Sequence, residues 1–410
     1  MSKVKLLHFA DLHIGIENYG RLDLSSGLNG RVHDFLQRLD EIVEYGLGHD
    51  VDVVVFAGDA YRRSNPTPTF QRAFAKRIKR LADAGVYIVL LVGNHDIPSM
   101  VQRASSIDIF KTLDVPNVIV GGHEEIHVCV TRNGPIQIAT LPFPVRQRLL
   151  VNDEFRGLSI EALDHRLEEA VGASIETLTK QVDATIPAVL TAHLSVSEAT
   201  YGSERGVMLG RDTVIQKSAL DNRVWDYIAL GHVHKHQSLN EGSYPHIVYA
   251  GSPARADFAE EGQPKGFCWV EVARGATTWE FVPLHARPFI TVRVDLRDEL
   301  SPLMTLQQEI AKHDLAEAVV RLIVKLRAEQ EPLLNERDIR EMLSDAYYVG
   351  SIFRDMERQN RLRLNAAAPE KMTDADLLGH YFRERGLDDS DRIASLKRYA
   401  TDIFAADDDR

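Results

Sequence analysis

Five clusters in the sequence carry groups that can hold metal ions: Asp11-Leu12-His13, Gly58-Asp59, Gly93-Asn94-His95-Asp96, His193, and Gly231-His232-Val233-His234. They offer carboxylate, amide and imidazole donors and no thiolate. Such a set suits Mn2+, Fe2+ or Zn2+ rather than a cysteine-bound structural zinc. The donors exceed what one ion needs, so two ions sharing a bridging carboxylate is the economical reading. Two cations about 3.5–4 Å apart clamp the attacking and leaving oxygens of an in-line displacement at phosphorus. A lone Asp-x-His is ordinarily a turn or a cap, and a lone histidine after a strand a satisfied core residue. The order of all five clusters, and what precedes each, carries the inference.

Each cluster closes an apolar run: Val4–Ala10, Val51–Ala57, Val86–Val92, Ala188–Ala192 and Tyr227–Leu230. These runs read as buried strands. Segments of helical period, Val32–Leu47 and Thr69–Ala84, alternate with the early ones, and a helical stretch, Leu158–Ala184, precedes the fourth. Alternating strands and helices predict a layered α/β core. In open α/β sheets, ligands gather beyond the carboxyl ends of the strands, so the five clusters are expected on one rim. Glycine in "GNHD" and "GHVH" permits the sharp turn that presents the next side chains. "PHIVYAGSPAR" and "KGFCWVEV" read as later strands.

The chain has 410 residues, which favours two or three domains. Its 44% hydrophobic and 26% charged content is that of a globular chain able to bury a core. No apolar run approaches the roughly 18 residues of a membrane span. The N-terminus shows no signal-peptide pattern, and a cytoplasmic location with no membrane partner is expected. Cys129 and Cys268 provide no disulfide framework and read as small buried hydrophobes. The pattern changes near His285–Pro288. "FITVRVD", Ala318–Leu326 and a segment near Tyr347–Phe353 read as strands of a small α+β domain, with Asn335–Asp345 as one of its helices. The expected division is a core over 1–285, a small domain over 286–365, a linker over 366–374 and helices within 375–405.

These motifs make the sequence resemble the calcineurin-like metallophosphoesterases, whose pattern is D-x-H, G-D, G-N-H-[DE], H and G-H-x-H. Within that superfamily it is similar to the SbcD-type nucleases of double-strand-break repair. "GLNGRVHDFL", "GDAYRRSNPTPT" and "YAGSPARADFAEEGQPKGF" support the narrower likeness. The resemblance implies a four-layer sandwich, two β-sheets flanked by helices, with a small α+β capping domain that binds DNA and a C-terminal helical hairpin. It implies that Asp59 bridges two divalent ions, with Mn2+ the expected metal. Asp11, His13 and His234 would hold the first ion, and Asn94, His193 and His232 the second. His95 would touch the scissile phosphate and protonate the departing oxygen, with Asp96 orienting its imidazole. Some of these nucleases carry a histidine three residues after the bridging aspartate. Here that position is Arg62, so steps assigned to that histidine do not transfer, and Arg62 offers a phosphate contact instead.

The net charge of −12 argues against a protein that simply coats nucleic acid. Residues 60–82 nevertheless contain seven Lys or Arg and no acid. Arg62 and Arg63, with Lys235 after the last motif, are candidate DNA contacts. No P-loop occurs, and the resemblance implies a separate SbcC-type coiled-coil ATPase. Leu378, Tyr381, Phe382, Leu396 and Tyr399 recur at helical spacing and offer its docking face. The resemblance also implies a homodimer, near Ile107 and Phe110. The expected activity is a metal-dependent DNA exonuclease or endonuclease. The alternatives are a phosphoesterase for small diesters or phosphoproteins, and a non-catalytic DNA-end scaffold.

Overall fold

The structure is a computed structural model that describes residues 3–98, 100, 103–146, 157–202, 212–356, 382, 393–396 and 398–400. The first sheet is built from β1 (Val4–Phe9), β2 (Val53–Phe56), β3 (Tyr87–Leu91) and β4 (Val118–Gly121), all parallel. The helix α1 (Gly30–Gly48) connects β1 to β2, and α2 (Pro68–Asp83) connects β2 to β3. The second sheet holds β5 (Glu125–Thr131), β6 (Gly134–Leu141), β7 (Ala188–His193), β8 (Tyr227–Gly231), β9 (Gln237–Ser238) and β10 (His246–Tyr249). Its order is β9-β10-β8-β7-β6-β5, with β6, β7, β8 and β10 parallel. Two antiparallel strands, β11 (Gly266–Val272) and β12 (Thr278–Pro283), return to the first sheet beside β1.

The two sheets face each other. Leu6, Val53, Val55 and Val89 from one pack against Ile138, Val189, Ala229 and Val248 from the other. Both faces of the parallel strands are covered, which is why their sequences are nearly continuous apolar runs rather than alternating ones. On the outer face of the first sheet, Phe74 and Ile78 of α2 and Val32, Leu39 and Val43 of α1 join Phe9 and Phe56. The helix α3 (Ile160–Gln181) buries Val171, Ile175 and Leu178 on the outer face of the second. The result is the expected helix–sheet–sheet–helix sandwich. Truncating one of these fully buried side chains to alanine costs about 2–5 kcal/mol.

A smaller unit follows. Its strands β13 (Phe289–Asp295), β14 (Val319–Leu326) and β15 (Tyr348–Met356) run parallel. The helices α4 (Pro302–Ile310) and α5 (Glu336–Met342) lie in the two crossovers, and their apolar faces close a separate core. The unit is seated on the sandwich through Arg287. That guanidinium donates to both oxygens of Asp34 at 2.8 Å and stacks on the Tyr347 ring at 3.5 Å. Beside it, Phe258 packs edge-on against Phe289 and Tyr19.

Candidate metal centre

Beyond the last residues of β1 and β2 the two chain segments continue side by side. The Asp11 N–H donates to the Gly58 carbonyl, and the His13 N–H to the Asp59 carbonyl, each at 3.0 Å. To do so they take left-handed steps: φ is 53° at Asp11, 45° at His13 and 62° at Asp59, and His232 reaches 97°. Non-glycine residues in that region store strain, which surrounding structure must offset. All four are ligand candidates, and the left-handed backbone is what turns their side chains toward the shared rim. Gly93 allows the third loop to come close, since a Cβ there would lie 2.2 Å from Asp59 Oδ1.

Two nests of donor atoms result. In the first, His13 Nε2 lies 2.9 Å from His234 Nε2, and Asp11, His13 and His234 have ligand atoms within 4.8 Å of one another. In the second, Asn94 Oδ1 lies 3.0 Å from both His193 Nε2 and His232 Nδ1. Asp59 stands between them, with Oδ2 3.6 Å from His13 Nε2 and 3.5 Å from His193 Nε2. Its carboxyl is held well below the usual range: burial opposes this, but His193, His95 and His13 outweigh it. His193 is raised to about 9 because Asp59 outweighs the effect of burial. Burial depresses His13.

The outer contacts fix which imidazole nitrogen faces inward. His193 Nδ1 is on the Ala57 carbonyl. His232 Nε2 is 2.7 Å from Asp212 Oδ2, and His234 Nδ1 is 2.8 Å from Glu260 Oε1. In the neutral rings the inward nitrogens are then bare, and they point at oxygen or at each other. Such clustering of lone pairs calls for a positive centre, a proton or a cation, and the donor set fits divalent metal. Carboxylates that hold ligating histidines in this way raise their basicity as well as fixing their rings. Asp212 carries no motif of its own, and Glu260 lies in the "YAGSPARADFAEEGQPKGF" stretch; sequence reading did not single out either as a site residue.

The Asp96 carboxylate turns away from the His95 ring, contrary to the role expected of it. It accepts from the N–H groups of Asp59 at 2.9 Å, Ala60 at 3.2 Å and Gly93 at 3.1 Å, and from Ser106 Oγ at 2.9 Å. It therefore ties the second loop to the third. Burial and then the charge of Asp59 push its carboxyl up to about 7. His95 Nδ1 instead donates to the Arg62 carbonyl at 2.9 Å, and the His95 N–H holds Asp59 Oδ1 at 2.8 Å.

The nests open into a cavity of about 700 Å3, lined by His13, His95, His232, His234, Arg62 and Arg63, together with Asn18, Phe70 and Asp257. Lys235 is half-buried and does not line it. Three of the seven basic residues around α2 are neutralised elsewhere: Arg77 by Asp40, Arg80 by Glu44 and Lys79 by Asp83. Arg146 is paired with Asp164. Ile107 and Phe110 are buried against Phe74, so their own side chains are core, while Ile109 and Leu113 beside them are exposed. Of the expected docking residues, Leu378 and Tyr381 lie outside the described residues, as does the linker. Phe382 is buried, and Leu396 and Tyr399 are exposed. No described helix is long and apolar enough to cross a membrane.

Comparison with known sequences matches residues 4–236 to the calcineurin-like phosphoesterase family. The chain is similar to the SbcD subunit of the SbcCD nuclease of Escherichia coli K12, 26% identical over 336 residues, covering 80% of this chain and 76% of that one. The corresponding protein from Escherichia coli O157:H7 gives the same figures. Among solved structures, a dimetal phosphatase from Danio rerio aligns over 69% of this chain and 97% of its own, with 11% identity and a TM-score of 0.41.

Proposed function

Because the chain belongs to the calcineurin-like phosphoesterase family, we propose that it is a two-metal DNA nuclease of the SbcD type. It would hydrolyse phosphodiester bonds at DNA ends, hairpins or single strands in double-strand-break repair, in the cytoplasm. Asp11, His13 and His234 would hold one ion and Asn94, His193 and His232 the other, with Asp59 shared. When bound, Mn2+ would supply charge neutralisation at the phosphate and at the departing oxygen. His95, fixed through Nδ1 by the Arg62 carbonyl, keeps Nε2 for the phosphate or for protonating the sugar oxygen that leaves. Arg62 and Arg63 on the cavity wall suit the flanking backbone phosphates.

The single observation that carries the reading toward DNA is the extent of the likeness to the Escherichia coli SbcD protein. It spans 80% of this chain, more than the family segment, and so continues beyond the site itself. An SbcC-type ATPase partner docked on the C-terminal helices, a capping role in DNA binding for residues 286–365, and a homodimer through the exposed side of the Ile109–Leu113 region all go with this reading.

The test is digestion of end-labelled linear DNA against rising Mn2+, beside hydrolysis of a small chromogenic phosphodiester. Mn2+-dependent DNA cleavage supports the nuclease. Turnover of the small ester alone would replace it with the general phosphoesterase. Binding of DNA ends without any hydrolysis would replace it with the scaffold.

A further inference from the structure

The segment Ser252–Lys265 lies within a stretch that sequence likeness singled out, and the reaction proposed above assigns it no task. It contains a carboxylate and an ammonium buried together. Glu260 is 0% and Lys265 2% exposed, with Lys265 Nζ 2.7 Å from Glu260 Oε2. The other carboxylate oxygen accepts from His234 Nδ1 at 2.8 Å. Lys265 Nζ also donates to the His234 carbonyl at 3.2 Å and to Ser252 Oγ at 2.8 Å. The Ala256 N–H adds a further bond to Glu260 Oε2 at 3.0 Å. His234 is thus gripped twice, its ring by Glu260 and its backbone by Lys265.

Burying such a pair is costly, and apolar residues of equal volume would serve packing as well or better. What apolar residues cannot supply is a fixed acceptor for the outer nitrogen of His234. We propose that Glu260 and Lys265 are positioning residues for His234: together they hold its Nδ1 protonated and its Nε2 bare, and so set the affinity of the cation position it shares with His13. Lys265 holds Glu260 in place through its 2.7 Å contact, and Glu260 fixes the ring. The inference rests on the two-cation reading of the site, and its test does not require turnover.

Replacing Glu260 alone would strand an ammonium in the core, so paired variants are used. In Glu260→Leu/Lys265→Met the acceptor is lost with both charges; in Glu260→Gln/Lys265→Met an acceptor oxygen returns. Calorimetric titration with Mn2+ should show the first variant about 10–100-fold weaker at one of two positions, and the second recovering most of that loss. A further measurement needs no variant. In 15N spectra of the metal-free wild-type chain, His234 should be the Nδ1-protonated tautomer. Equal Mn2+ affinity in wild type and both variants, or an Nε2-protonated neutral His234 in the wild type, would overturn the proposal. Absence of any Mn2+ uptake by wild type would instead overturn the two-cation reading.

Discussion

His13 Nε2 and His234 Nε2 face each other at 2.9 Å although 221 positions separate them in the chain. With His234 Nδ1 committed to Glu260, the two inward nitrogens compete for one proton or share one cation. Divalent metal should therefore stabilise the fold by mass action. At free Mn2+ about a hundredfold above its Kd, the gain is about 2.7 kcal/mol, a rise in Tm of roughly 3–5 °C for a chain of this size. Chelation should reverse it. Thermal melts with and without Mn2+ and EDTA check this, and superimposable curves would refute it.

Gly93→Ala should damage the site without touching a ligand. The added methyl would lie 2.2 Å from Asp59 Oδ1, so the shared carboxylate must move. Bound metal should fall below wild type, and cleavage by on the order of 100-fold, since small misplacements cost that much. Gly85→Ala is the comparison. Its φ of +79° is left-handed, unlike that of Gly93, but nothing lies within 4 Å, so it should cost about 1–2 kcal/mol of stability and leave metal content unchanged. Full metal content and full rate in Gly93→Ala would show that the loop has room to yield.

The basic residues near the cavity should differ in their effect on DNA binding. Arg62 and Arg63 line the cavity, whereas Arg77 and Arg80 are already paired across to α1. Arg62→Gln/Arg63→Gln should lower the slope of log K against log salt by about 0.9 per lost phosphate contact. Arg80→Gln should leave the slope alone. Fluorescence anisotropy over a salt series measures both, and equal slopes for all three proteins would remove Arg62 and Arg63 from the interface.

His8 should make the fold acid-sensitive. It is fully buried between the sheets, 3.1 Å from the Tyr227 hydroxyl and 3.2 Å from the Leu230 carbonyl. Burial first of all lowers it to about 3. The unfolded chain takes up this proton below pH 6.5 while the folded chain refuses it down to about pH 3. Its contribution is therefore complete above the unfolded pKa. It is lost at about 1.4 kcal/mol per pH unit as pH falls through that window. Urea unfolding of wild type and His8→Gln across pH 4–7 should show a shallower slope for the variant; parallel slopes would assign the acid loss to other groups.

Much of this site was legible because five of its strands are buried on both faces. Continuous apolar runs mark such strands, and the polar residues that follow them mark the rim. The hairpin β5–β6 and the strand β4 were not read in advance. Val128 and Val130 are exposed on the edge strand β5, so its hydrophobicity does not track burial. Nearness in sequence misled at Asp96: it adjoins His95, but its carboxylate faces the backbone N–H groups of two loops. The run of seven basic residues is also partly met within the fold, since Arg77 and Arg80 pair with α1, over thirty residues earlier. Asp212 and Glu260 escaped notice because a carboxylate that grips a histidine from behind leaves no spacing to recognise.

The short turn at Phe258–Glu260 joins three neighbourhoods within four consecutive residues. Asp257 looks into the cavity, Phe258 is wedged against Phe289 of the smaller unit, and Glu260 holds His234. Phe258 and Glu260 are two residues apart, so the chain between them ties the packing of the smaller unit directly to the carboxylate behind His234.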